Sequence, residues 1–235
     1  MKNSIYHIEM IDLLWVLIPV IIMMFIYARW TKDSYTITYA LARMMLQLIL
    51  IGYILTYIFT AKTPYLIILI LSIMLISAST IALRPLQKKD NTLYKNAFIA
   101  ISLGGILTLV MVLFGVLDLH PWYEPKFLIP LAGMIFANSM NAVSISAERF
   151  ESETEQGHSY IEARAISYKA ALIPIINALF AVGLVSLPGM MTGQILSGVD
   201  PLIAVRYQMM VMLMILGSAG ISVAIYLRLL KRLRA

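Results

Sequence analysis

The sequence predicts an all-α polytopic membrane protein with about seven transmembrane helices, its N-terminus outside and its C-terminus in the cytoplasm. Three observations lead there. Seven apolar stretches run over residues 11–28, 39–59, 64–83, 97–117, 127–147, 170–191 and 202–227. A hydrocarbon core about 30 Å thick needs roughly 20 apolar residues of helix, so each is about long enough to cross. Hydrophobic residues make up 61% of the 235-residue chain and charged residues 13%, a balance that makes lipid the solvent for most of it. The third observation is the placing of Lys and Arg. They concentrate in alternate connections: Arg29 and Lys32; Arg84, Lys88, Lys89 and Lys95; Arg149, Arg164 and Lys169; Arg228, Lys231, Arg232 and Arg234. The other connections hold only Lys2, Lys62 and Lys126. The positive-inside rule puts the richer set in the cytoplasm. The net charge of +6 therefore reads as membrane orientation and not as nucleic-acid binding.

The first span is rich in Leu, Ile and Met and contains Pro19. Its apolar run exceeds the usual signal-peptide core of about 7–15 residues, and Ala28-Arg29-Trp30 is no small-residue cleavage site, so it is expected to be retained. The second span carries Arg43 and Gln47, four residues apart and so on one helix face. An arginine near a helix end often snorkels to the headgroups. Gln47 lies a turn deeper, and the pair suggests a bundle interior or cavity. The third span is apolar until Ser72, Ser77, Ser79 and Thr80, and the fourth holds Gly104-Gly105, which permits close helix approach. In the outer loop that follows, Trp122 and Tyr123 read as interfacial anchors.

The fifth span differs. Met134, Asn138, Asn141 and Glu148 fall at intervals of four, three and seven, and at about 100° per residue they share one narrow stripe with Pro130. Asparagine in hydrocarbon is costly unless paired or wetted. Interhelical hydrogen bonding and the lining of a translocation path both account for the stripe. The segment 148–169 reads as a charged, mostly solvated loop, its second half able to form a short helix leading into span six. Between spans six and seven, Pro188, Gly189, Gly193, Gly198 and Pro201 interrupt the helix. That run is too apolar for an ordinary loop, and non-helical backbone at membrane depth is tolerated only inside protein or beside water. Pro188, Gly189, Met190, Met191 and Gly193 are therefore expected to form a packed, gate-like turn.

Several chemistries are excluded. The chain has no cysteine, hence no disulfide, thiolate site or cysteine nucleophile. His7, His120 and His158 all lie outside the spans and far apart in sequence, which argues against a buried histidine metal cluster but not against a loop site. No phosphate-cradling G-x-x-x-x-G-K-[ST] loop occurs, so ATP would have to be bound by another chain. An intramembrane enzyme would need convergent nucleophile and base within the spans, whose only acid is Asp12 at the edge of the first. Of the 16 methionines, most sit among Ile and Leu as flexible packing. Thioethers also ligate soft ions such as Cu(I), and the pairs Met190-Met191 and Met209-Met210 are the ones placed to do so.

The sequence Leu184-Val185-Ser186-Leu187-Pro188-Gly189-Met190-Met191-Thr192-Gly193, continuing through Gly198-Val199-Asp200-Pro201 to Arg206-Tyr207-Gln208-Met209-Met210-Val211, resembles the signature of the FetB family. Two further stretches are similar: Arg43 with Gln47-Leu48 and Gly52, and Ile129-Pro130-Leu131-Ala132-Gly133-Met134-Ile135 with Asn138, Ser139 and Met140. The resemblance covers about the whole chain, the last third most specifically. The family consists of small permease subunits of ABC transporters linked to iron export in bacteria, with plant relatives linked to aluminium tolerance. The resemblance implies a single transmembrane permease domain over residues 1–235 in the bacterial inner membrane. It implies a homodimer paired with a separate ATP-binding subunit, with no cofactor held by this chain and ATP entering through the partner. ATP-driven alternating access would then export a metal ion. Met134, Asn138, Asn141, Glu148, Arg43 and Gln47 are the candidates for its path. Tyr160, Glu162, Ala163 and Arg164, on the largest cytoplasmic segment, are the candidates for coupling to the ATPase. The competing reading is an ion-coupled secondary transporter or channel with no ATPase partner; secondary transporters often pair interrupted helices in two repeats, and the sequence shows one strong interruption, after span six, with no convincing second copy.

Overall fold

The computed structural model describes residues 9, 11–59, 63–87 and 90–231. Lys2, His7, Lys62, Lys88, Lys89, Arg232 and Arg234, used above for charge and histidine placing, lie outside the described residues. Seven of its helices are long and apolar enough to cross a membrane, matching the seven predicted spans. The chain forms two compact units, Met1–Ala61 and Lys62–Ala235.

The first unit holds α1 (Leu13–Thr31) and α2 (Tyr35–Ile58). Lys32, in the left-handed region at φ 56°, ends α1. Asp33 Oδ1 accepts from the backbone N–H groups of Tyr35 at 3.1 Å and Thr36 at 3.0 Å, so an acidic side chain satisfies donors that the start of α2 would otherwise leave unpaired. No residue of α1 is buried. Pro19 lies within it, as membrane helices tolerate.

The second unit is a helical bundle: α3 (Pro64–Ala82), α4 (Asn91–Val110), α5 (Pro125–Glu155), α6 (Tyr160–Ala181), α7 (Gly189–Leu196) and α8 (Pro201–Leu230). A π-helical turn, Met111–Val116, extends α4. Helix α8 packs on α4, α5, α6 and α7, while α5 also packs on α3, α4 and α6. The core thus lies along α4, α5 and α8. Lipid is as apolar as leucine, so these helices associate through close packing of small residues and not through burial of apolar surface from water. At the α4–α8 seam, a Cβ on Gly104 would run into the side chain of Ser222 and come within 2.8 Å of its backbone nitrogen. A Cβ on Gly105 would stand 2.9 Å from the Phe136 ring of α5. The close approach expected of Gly104-Gly105 is what the structure uses. Ser139, Ser146, Ser167, Ser218 and Ser222 are fully buried at such contacts.

Two stretches differ from expectation. Residues 148–169 are not a solvated loop. Helix α5 continues to Glu155 and α6 starts at Tyr160, leaving only 156–159 outside helix. The start of α6 is fixed by a capping box: the Ser159 hydroxyl accepts from the Glu162 backbone N–H, while the Ser159 N–H donates to the Glu162 carboxylate at 3.0 Å. Span six, expected to reach residue 191, ends at Ala181. The break falls at 182–188, where Gly183 has φ 83° and the Ala181 carbonyl accepts from the N–H groups of Leu184, Val185 and Ser186. The gate-like turn is therefore corrected. Pro188 is the N-cap of α7, and Gly189, Met190, Met191 and Gly193 lie within that helix. A proline at a helix start removes no bond the helix needs, and each internal glycine costs only about 1 kcal/mol.

Candidate functional site

Helix α5 presents two faces. Ala132, Ile135, Phe136, Ser139, Ala142, Val143, Ser146, Ala147 and Phe150 are buried. The predicted stripe lies on another face: Met134 and Asn138 are half-buried, while Pro130, Asn141 and Glu148 are exposed. Asn138 Nδ2 donates to the Met134 carbonyl at 2.8 Å, one turn back on its own helix. Among the described residues, neither asparagine side chain bonds another helix, so the interhelical hydrogen bonds considered above are absent from this bundle. From Met134 to Glu148 the stripe is about 21 Å long at 1.5 Å per residue. Arg43 and Gln47 of α2, in the first unit, are both exposed.

The Met134 end of the stripe opens into a cavity of about 350 Å³ between α5, α7 and α8. Met134, Met190 and Met210 line it, one from each helix, with Gln194, Tyr207 and Lys126. Gln194 Oε1 is buried without a hydrogen-bond partner. On the other side of α7 and α8, facing α6, a second cavity of about 410 Å³ is lined by Met191, Met209, Met212 and Gln208 among aliphatic residues. Gln208 is 6% exposed, and its Oε1 also lacks a partner. Consecutive helical residues point about 100° apart, which is why each methionine pair is split between the two cavities. The pairs were legible in the sequence. Gln194 and Tyr207 were not singled out, because only the placing of α7 brings them to Met134.

At the other end of α5 the helix turns into α6 through a locked hairpin. Glu153, with its side chain 3% exposed, pairs with Arg149 and with His158 Nδ1 at 3.0 Å. The Arg149 spacing of four residues is the sequence signal that could have found this pair. The Tyr160 hydroxyl donates to the Leu227 carbonyl of α8 at 2.9 Å, its ring meets Phe150 edge-on at 5.9 Å, and Arg164 lies over it at 5.5 Å. Of the predicted coupling residues, Ala163 is fully buried and Tyr160 half-buried, while Glu162 and Arg164 are exposed. Only the last two remain open to a partner, with Ile161 at 67% exposure beside them.

Among the described residues no three His, Cys, Asp or Glu side chains converge on a possible metal position. The arrangement offers a polar track on an exposed face of α5, a methionine-lined cavity at one end and a bonded hairpin at the other.

A model of an uncharacterised protein family, UPF0014, matches residues 10–233. The chain is 38% identical to the probable iron export permease protein FetB of Escherichia coli K12, over 80% of this chain and 77% of that protein. It is 35% identical to a UPF0014 membrane protein of Synechocystis, over 77% of this chain and 75% of the relative. It is 30% identical to the protein ALUMINUM SENSITIVE 3 of Arabidopsis thaliana, over 78% and 71%. No solved structure matches. These relatives bear out the resemblance read from the sequence.

Proposed function

We propose a transport function for this chain, which belongs to the UPF0014 family of membrane proteins. It serves as the membrane-spanning permease subunit of an ABC transporter, exporting a metal ion. The observation that carries the reading is the α5 stripe. Asn141 and Glu148 lie exposed, and Asn138 half-buried, on a face turned away from the buried side of the helix. Uncompensated asparagine against lipid is costly, so this face has water or a polar partner beside it. Two copies of the chain, each turning its stripe toward the other, would enclose a polar path. The permease named in E. coli supports the same reading.

In this scheme the N-terminus is outside and the C-terminus in the cytoplasm, the orientation that the Lys and Arg distribution supports. Glu148 then stands at the cytoplasmic mouth and the methionine cavity near the outer end. Energy comes from a separate ATP-binding subunit, since the sequence has no phosphate loop of its own. That subunit docks at the α5–α6 turn, touching Glu162 and Arg164. Because Tyr160 is bonded to α8 and Ala163 is packed inside, a push at the turn moves α6 and α8 as one body. Helix α7 and its cavity lie at the far end of both helices, so the push reaches the outer end.

Co-expression with a candidate ABC ATP-binding subunit tests the reading. The expected result is a stable complex whose ATP hydrolysis in liposomes requires this chain and rises with a transported ion. Ion movement by this chain alone, driven by an ion gradient with no ATPase, would instead make it a secondary transporter.

A further inference from the structure

We propose that the cavity between α5, α7 and α8 is a thioether site for a soft monovalent cation of the Cu(I) or Ag(I) class. The inference deepens the transport reading, on which it rests for the ion's role as cargo. Three methionines line one space of about 350 Å³ from three helices: Met134 from α5, Met190 from α7 and Met210 from α8. Each of these methionines is half-buried, neither sealed in the core nor free on the surface. Gln194 lines the same cavity, and its side-chain oxygen is buried without a partner. Such an oxygen is costly to leave unmet, and a cation meets it. Tyr207 lines the same cavity.

Charge and softness decide the class of ion. Among the described residues, no acidic side chain lines the cavity. A divalent ion such as Fe(II) or Mg(II) prefers carboxylate, imidazole or water and would enter with nothing to balance its two charges. A monovalent soft ion carries half that charge and binds thioether strongly. Lys126 at the rim is exposed, so solvent screens its charge. The cavity facing α6 is the internal control. It has three methionines and one unpartnered glutamine oxygen too. Two of its methionines come from the same helix, however, Met209 is 60% exposed, and the rest of its wall is aliphatic.

The test is Ag(I) titration of the full chain in nanodiscs, with sulfur neighbours read by X-ray absorption at the silver edge. Leucine keeps the volume and apolarity of methionine, so these variants fold. The expected result is one tight, sulfur-ligated Ag(I) per chain. Met134→Leu, Met190→Leu and Met210→Leu should each weaken it by more than the roughly 10–100-fold that losing an outer-shell partner costs a metal site. Met191→Leu and Met209→Leu should leave it unchanged. Absence of binding, equal losses in both sets, oxygen-only neighbours or displacement of Ag(I) by equimolar Fe(II) would each overturn the site. If the chain bound no Ag(I) yet still drove its partner's ATPase, the soft-ion assignment would fall and the transport reading would stand. Sulfur-ligated Ag(I) in a chain that supports no transport would confirm the site and remove the transport reading.

Discussion

The two faces of α5 run the same length through the same membrane and carry opposite kinds of residue. One face, with Ala132, Ser139, Ala142, Val143, Ser146 and Ala147, is small and packed. The other, with Met134, Asn138, Asn141 and Glu148, is large and polar, and is exposed or half-buried. In a soluble helix the polar face would need no explanation. In lipid it does, because hydrocarbon cannot solvate an amide. What holds this bundle together is small side chains in close contact, and what it has available for work faces outward. Stability and transport should therefore be separable by face.

The largest effect on stability is expected at the packed face. Gly105→Leu places a side chain where even a Cβ would stand 2.9 Å from Phe136 and 3.2 Å from Ile135. Over-packing of that kind typically costs about 1–3 kcal/mol, and this site belongs at the top of the range. Thermal unfolding in nanodiscs should show it, and a wild-type midpoint would mean the α4–α5 contact is looser than described. Glu153→Gln should come next. Removing one member of a buried pair costs about 3–5 kcal/mol when the other charge stays buried. Here Arg149 and His158 have side chains 47% and 41% exposed and can turn to water. A loss of about 1–2 kcal/mol is expected, below that full penalty. A loss as large as the packing variant's would show that the hairpin and not the seam anchors α5.

The outward face should behave differently. Asn141→Leu, with no partner on another helix, and Asn138→Leu, which gives up only a bond to its own helix, should stay within about 0.5 kcal/mol of wild type. A loss above 2 kcal/mol in unfolding would mean these residues hold helices together after all. Smallest of all is the effect expected of Arg164→Glu. It loses one exposed contact with the Tyr160 ring, so unfolding should be unchanged while stimulation of the proposed ATPase partner falls. Unchanged stimulation would move the docking surface elsewhere.

The division between faces was only partly legible beforehand. The seven spans followed from hydropathy, because length and apolarity are what the bilayer selects. Which side of a span is buried did not, since leucine is as comfortable in lipid as in the core. The small residues were the better guide: Gly104 and Gly105 marked the seam. The end of α5 was lost because Glu151, Glu153 and Glu155 broke the hydropathy signal. Yet Val143, Ala147, Phe150 and Glu153 continue the helical spacing of three and four past the membrane boundary. Helix α7 was hidden by its own proline and glycines, which read as breakers and here start and thin a helix. With α7 unplaced, nothing joined Met134 to Met190 and Met210, so the cavity stayed invisible although every one of its methionines had been noticed.

The central claim is that the polar stripe of α5 lines the path and does not hold the fold. The measurement that bears on it most directly is transport per folded molecule for Asn138→Leu and Asn141→Leu, in proteoliposomes with the ATP-binding partner. The account predicts near-complete loss of transport for both, with unfolding midpoint and partner assembly at wild-type levels. Transport per folded molecule near wild type in both variants would contradict it, and would remove Glu148 from the cytoplasmic mouth as well.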